Sequence, residues 1–281
     1  MSQPIPIATI PLRSSPWLAV FTLAQREWVR FIRQRNRVFG ALGQPLIFWL
    51  LFGAGLGPSF QLRGAADGLT YSEYFFPGTV ILILLFTAIF ATISIIEDRR
   101  EGFLQSVLVA PLPRWAMVLG KVLGGSLIAL AQGLLFLMLG FTLGMTFSAL
   151  SLLASAAFLF LVAFALVSLG FVMAWRLDST QGFHALMSVF LMPMWLLSGA
   201  FFPPADGGPL AWIIRLNPLT YGVAGLRHLL YWQASPEVRA TALPPTLPSM
   251  ETSLVVTGLF AVAMFIVACA ISRQRTAGDL L

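Results

Sequence analysis

Six stretches of this chain are each long and apolar enough to cross a lipid bilayer, and no other feature of the sequence restricts its fold as strongly. They cover residues 41–59, 75–96, 118–147, 150–175, 183–202 and 253–272. A helix needs about 20 mostly apolar residues to cross the hydrocarbon. A lone segment in lipid must satisfy its own backbone N–H and C=O groups, so each stretch is expected to be helical. The composition agrees: 58% of the 281 residues are hydrophobic, 10% are charged, and the mean hydropathy is +0.86. Ordinary soluble domains carry about a quarter charged residues. The expected fold is an all-α membrane protein, one transmembrane domain over 1–281 with six spans. The third and fourth spans are separated by a few residues near Thr146 and Ser151 and form a tight hairpin.

The charge distribution orients this bundle. The net charge of +6 does not point to nucleic acid, because the basic residues are sorted by side. With the amino terminus inside, Arg13, Arg26, Arg30, Arg33, Arg35, Arg37, Arg99, Arg100, Arg114, Lys121, Arg176, Arg273 and Arg275 are cytoplasmic. Arg63, Arg215, Arg227 and Arg239 lie outside. That asymmetry follows the positive-inside rule and places both termini in the cytoplasm of a multi-pass protein of the cell (inner) membrane. The first residues, broken by prolines, do not read as a secretory leader. The middle of every span is free of Asp, Glu, Lys and Arg. Ion-driven transporters usually carry such residues at mid-membrane, so the driving energy is expected from outside this chain.

Three flanking elements stand out. Over 17–39, Trp17, Val20, Phe21, Ala24, Trp28, Phe31 and Ile32 recur at helical spacing, with Arg26, Arg30, Arg33 and Arg37 on another face. This is an amphipathic interfacial helix whose arginines are expected to meet anionic lipid. Over 203–233, Pro203, Pro204, Gly207, Gly208 and Pro209 make a turn, Leu210 to Leu216 a short helix, and Asn217-Pro218 the cap and start of a second helix. These short helices sit in the outer leaflet before the last span, with Arg227 and His228 read as solvated. Over 98–111 the five charges Glu97 to Glu101 interrupt the apolar sequence. Asp98 and Glu101 have the spacing of a capping box, Phe103, Leu104, Val107 and Leu108 gather on one face, and Pro111 and Pro113 end the helix. A short amphipathic helix of this kind fits a groove on a partner protein or rests on lipid.

Arg100 to Lys121, REGFLQSVLVAPLPRWAMVLGK, resembles the signature of the type-2 ATP-binding-cassette (ABC-2) exporter permeases. It combines the Arg100-Glu101 pair, Gly102 and Leu104, Pro111 three residues before Arg114, and a closing Gly120-Lys121. Phe103 stands where a threonine is common. Gln44-Pro45-Leu46, and LSGAFFP with LNPLTY and Arg227, agree in the family's order. The resemblance implies that 98–111 is a cytoplasmic coupling helix seated in an ATPase, through Glu97, Arg99, Arg100, Glu101, Gly102, Phe103, Leu104, Leu108 and Pro111. It also implies two permease chains, identical or homologous, and two ATPase subunits that bind ATP and Mg. No cofactor is expected in this chain: Gly120-Lys121 lacks a phosphate loop before it. The lone Cys269 excludes an internal disulfide and a multi-cysteine metal site. G-x-S-x-G, H-E-x-x-H and paired intramembrane aspartates are also absent, which argues against a membrane-embedded enzyme. The substrate pathway is expected near Met187, Met192, Pro193, Met194, Ser198 and Gly199, and its uncharged interior suits a hydrophobic or amphipathic cargo such as a drug, a lipid or a lipid-linked glycan. His184 reads as an interfacial polar residue. A stand-alone channel or scaffold is the rival reading.

Overall fold

The computed structural model describes residues 15–56, 69–201 and 207–274, all of them in helices or the connections between helices. In chain order the helices are α1 (Pro16–Arg33), α2 (Arg35–Leu56), α3 (Tyr71–Arg100), α4 (Phe103–Val109) and α5 (Arg114–Leu137). There follow α6 (Ala149–Trp175), α7 (Thr180–Trp195), α8 (Pro209–Leu216), α9 (Pro218–Leu230), α10 (Pro236–Ala242) and α11 (Met250–Ile271). Six of them are long and apolar enough to span a membrane: α2, α3, α5 with its 3₁₀ continuation to Leu143, α6, α7 with its extension to Ala200, and α11.

The protein is built around α3. Of its most apolar stretch 89% is buried inside the chain, against 17% for α2 and 22% for α11. A helix apolar on every face is stable only when surrounded, and α2, α5 and α6 pack on α3. Its hydroxyls do not break this pattern, since Thr79, Thr87 and Thr92 donate back to the carbonyls of Phe75, Ile83 and Ala88 within the same helix.

The first span begins earlier than its hydropathy suggests. The chain breaks at Gln34 and α2 starts at Arg35, not at 41, while the preceding helix ends at Arg33, not at 39. The reason is electrostatic: Arg37, in the first turns of α2, is paired with Glu97 and need not stay in water. The end of the expected first span and the turn at Pro203-Pro204 lie outside the described residues. The hairpin between the third and fourth spans is present, with Gly144 turning the chain and Ser148 capping α6. The outer helices also agree. Asn217 Oδ1 accepts from the N–H of Leu219 and starts α9 on Pro218. The short α10, capped by Ser235, has no counterpart in the sequence reading.

α1 runs beside the first half of α5, with Trp17 on Trp115 at 5.5 Å between ring centroids. Gly120 and Gly124 permit this approach. A Cβ on Gly120 would lie 2.8 Å from the Leu23 Cβ and 2.9 Å from the Val20 carbonyl oxygen, and one on Gly124 would lie 2.8 Å from the Glu27 Cβ. Small residues four apart let two backbones close on each other in a medium that offers no hydrophobic drive between helices.

Candidate functional site

At the end of the bundle where α1, the start of α2, the end of α3 and α5 meet, eight charged side chains form one connected cluster. Lys121 Nζ lies 2.8 Å from Glu27 Oε1 and 2.5 Å from Asp98 Oδ2. Arg26 reaches Asp98 Oδ1 at 2.7 Å and Glu27 at 3.3 Å. Arg30 bridges Asp98 at 2.5 Å, Glu97 at 2.8 Å and Glu101 at 3.4 Å, and Arg37 pairs with Glu97. Four cations, Arg26, Arg30, Arg37 and Lys121, thus balance four carboxylates, Glu27, Glu97, Asp98 and Glu101.

Helical spacing places these groups. Val20, Leu23, Glu27 and Phe31 are the buried residues of α1, so a carboxylate sits on an otherwise apolar face and points at α5. Arg26 and Arg30, one turn apart, flank it. The Asp98 side chain is fully buried and that of Lys121 is 4% exposed, a burial that only direct pairing makes tolerable. Burial works against the charge of Arg30, but the carboxylates of Asp98, Glu97 and Glu101 outweigh it and hold the guanidinium above its usual range. Arg30 therefore stays charged at every pH below that range, and its pairing is lost only where acid protonates its partners.

This arrangement corrects several sequence expectations. Asp98 is not a helix cap: α3 runs on to Arg100, and Asp98 is a buried counter-ion inside its last turns. Glu101 ends α3, and Gly102 then turns the chain in the left-handed region, at φ 76°. The short helix that follows has two turns, 103–109, in place of the expected 98–111. Of the four arginines expected to form a lipid-facing stripe, Arg26 and Arg30 of α1 and Arg37 of α2 are turned to carboxylates, and Arg33 alone stays exposed. Lys121, counted with the cytoplasmic loops, lies within α5.

The apolar face of α4 also points inward. Leu104 is buried in the core, Phe103, Val107 and Leu108 pack against that core, and the Arg26 guanidinium lies 3.6 Å above the Phe103 ring. Arg99 is spent within the chain as well, donating to the carbonyls of Trp175 and Leu177 and to Asp178 Oδ1. Arg100 donates twice to the Asp178 carbonyl but stays exposed. Of the nine residues expected at the ATPase, Phe103, Leu104 and Leu108 hold α4 against the core, Glu97 and Arg99 are bound to other parts of the chain, Gly102 makes the turn, and Arg100, Glu101 and Pro111 are exposed. Ser106 faces outward, as its place on the helix predicts, and so does Val109, which is 84% exposed; neither was among the residues expected at the ATPase. The signal was available: in a helix starting at Phe103, positions 106 and 109 lie opposite the face of 104 and 108.

The residues expected along a pathway fall into three places. Met187 and Met192 line a cavity of about 210 Å³ between α2, α3 and α7, with Gln44, Phe90, His184 and Ser188. Pro193 and Met194 instead line an open groove shared with α8. Ser198 and Gly199 are buried where α7 breaks, Gly199 adopting φ 76°. The break exposes carbonyls that other helices satisfy: the Tyr74 hydroxyl and Arg227 Nη2 both donate to the Gly199 oxygen, at 3.2 and 3.3 Å. Arg227 is therefore not a solvated residue. It is fully buried, also donates to the Tyr74 carbonyl at 3.1 Å, and lies 4.1 Å from the Tyr74 ring centroid. His228 meets the Pro248 carbonyl at 2.9 Å.

A short helix between the second and third spans is what the quoted motifs led us to expect; the buried charges behind it and the shielding of α3 are added by the structure. The family model described as "ABC-2 type transporter" matches residues 19–231. The chain belongs to the ABC-2 type transporter family. Among curated relatives of this ABC-2 protein, "Nodulation protein J" of Rhizobium leguminosarum bv. viciae is 26% identical over 277 residues, 96% of this chain and 98% of that one. "Putative transport permease ycf38" of Cyanophora paradoxa is 28% identical over 214 residues, 75% of this chain and 73% of the other. "Probable multidrug ABC transporter permease YbhR" of Escherichia coli (strain K12) is 27% identical over 201 residues, 70% of this chain and 53% of its own. This ABC-2 chain is a membrane protein of the transport permease class.

Proposed function

We propose that this chain is the permease subunit of an ABC exporter. Two permease chains, identical or homologous, enclose the pathway, and two cytoplasmic ABC ATPase subunits bind ATP and Mg and drive it. The charged end of the bundle, with both chain termini, then lies in the cytoplasm, and the chain itself is not an enzyme. The observation that carries this reading is α4: a two-turn helix clamped from behind by the charge cluster, offering Glu101, Ser106, Val109 and Pro111 outward. An apolar residue as exposed as Val109 at the tip of a rigid helix suits a groove on a partner. Force applied there passes through Glu101 and Phe103 to Arg30 and Arg26, and through them to α3 and α5.

The cavity between α2, α3 and α7 supports a pathway completed by a second chain. Its volume of about 210 Å³ falls below the roughly 300–1,000 Å³ that holds a drug-sized ligand. Phe39, Ile47, Leu50 and Leu51 of α2 and Val189 and Phe190 of α7, the helices flanking it, are exposed. A second permease chain against these helices enlarges the cavity into a shared one, lined by Met, Phe and a few polar groups, which suits a hydrophobic or amphipathic cargo.

The test is recruitment. Val109→Asp with Glu101→Ala should insert and fold normally yet lose about 2 kcal/mol at the ATPase contact, roughly thirtyfold in affinity, measured by co-purification with an ATPase encoded beside this chain. Unchanged recruitment and transport would refute the docking surface. Steady uphill transport by the purified chain alone would refute the subunit assignment.

A further inference from the structure

Among the five arginines between positions 26 and 37, the fold uses three in the charge cluster and leaves two outside it. Arg33 and Arg35 are exposed on either side of the Gln34 break, and neither has an acidic partner among the described residues. The neighbouring carboxylates Glu27, Glu97, Asp98 and Glu101 are engaged with Arg26, Arg30, Arg37 and Lys121. The two guanidiniums therefore leave an uncompensated charge of +2 at the junction of α1 and α2.

A groove begins beside that junction. Ile32 and Val38, which bracket the break, line a cavity of about 200 Å³ together with Leu42 of α2 and Ile128, Ala131 and Leu135 of α5. Gln132 is the one polar residue lining it, and its Oε1 accepts a hydrogen bond from Thr87. Both walls run away from the arginines, from Val38 to Leu42 and from Ile128 to Leu135. Seven residues of α-helix extend about 10 Å, the length of a substantial part of an acyl chain. Trp28, half exposed at the same cavity, is the residue type that favours the boundary between headgroups and hydrocarbon.

We infer that the junction of α1 and α2 is a binding site for one anionic phospholipid, with its phosphate at Arg33 and Arg35 and an acyl chain in the groove between α1, α2 and α5. The guanidinium fork matches phosphate geometry, and the groove admits an apolar chain but not a second headgroup. The inference does not depend on the transport assignment, because it uses only the surface of this chain.

The experiment is native mass spectrometry of the purified chain in detergent with phosphatidylglycerol or phosphatidylcholine of identical acyl chains, and with inorganic phosphate. Each arginine near a membrane surface favours an anionic lipid about fivefold, so phosphatidylglycerol should bind about 25-fold more tightly than phosphatidylcholine. Arg33→Gln with Arg35→Gln should bring the two lipids to parity while leaving the thermal transition in place. Ala131→Trp, which fills the groove from an exposed position, should weaken phosphatidylglycerol at least tenfold. Phosphate should not compete at equal concentration. Equal binding of the two lipids by the unaltered chain, a preference that survives loss of both arginines, or one indifferent to Ala131→Trp would each overturn the site. Competition by phosphate alone would reduce it to a simple anion site. Protection of a cysteine at position 131 by a bound protein, with lipid absent, would make the groove a protein interface and overturn the proposal.

Discussion

Asp98 shows how much a single buried carboxylate can organise. Its side chain is fully buried among Arg26, Arg30 and Lys121, so removing it leaves three cations with too few partners in a medium of low polarity. Breaking a buried ion pair from one side costs about 3–5 kcal/mol. Asp98→Ala should therefore lower the thermal transition of the purified chain sharply, whereas Arg37→Gln, at the more accessible edge of the cluster, should cost about 1 kcal/mol. Thermal scanning of both variants in detergent checks the order, and the reverse order would show that the cluster is not held through Asp98. The charge run that carries Asp98 was plain in the sequence, but its purpose was not. Spacing within the run favours a helix cap, and nothing local says that Glu27, far away in the chain, and Lys121 close around the same carboxylate. The carboxylate on the buried face of α1 was the available clue, because an acid at that position needs a cation on whichever helix packs there.

At the scale of elements, the docking of α1 on α5 depends on Gly120 and Gly124. A leucine at either position meets backbone or Cβ atoms of α1 within 3 Å, which the helix can relieve only by moving away. Gly124→Leu should detach α1 and cost about 1–3 kcal/mol, read as a lower thermal transition of the purified chain in detergent. Gly258→Leu is the control, since nothing lies within 4 Å of a Cβ there. The motif Gly120-Lys121 was legible as part of a family signature. Its physical role was not, since close approach is a property of two helices together. α4 teaches the same lesson in the other direction. Its amphipathic pattern correctly indicates a buried face, but which body buries that face depends on where the neighbouring helices lie, and α3 and Arg26 of α1 bury it within the chain.

At the scale of the whole molecule, α2 and α7 expose apolar residues beside an incomplete cavity. If a second permease chain covers them, as proposed, Val189→Cys should form an intermolecular disulfide in native membranes, either with its own copy or with a homologous chain. A cysteine at Leu259 on α11, also exposed, should not. Equal cross-linking at both positions would point to random collision in place of an interface. Six spans, their helical nature, the hairpin near Thr146 to Ser151 and the capped α9 followed from the sequence alone, because lipid imposes length, apolarity and backbone satisfaction on each segment separately. The burial of α3, the eight-membered charge cluster, the bond from Arg227 to the broken end of α7 and the inward turn of α4 were settled only by tertiary structure. Each of these depends on which helices become neighbours, and a bilayer, which accepts any apolar helix in any lateral position, leaves that choice to packing and to the pairing of buried charges.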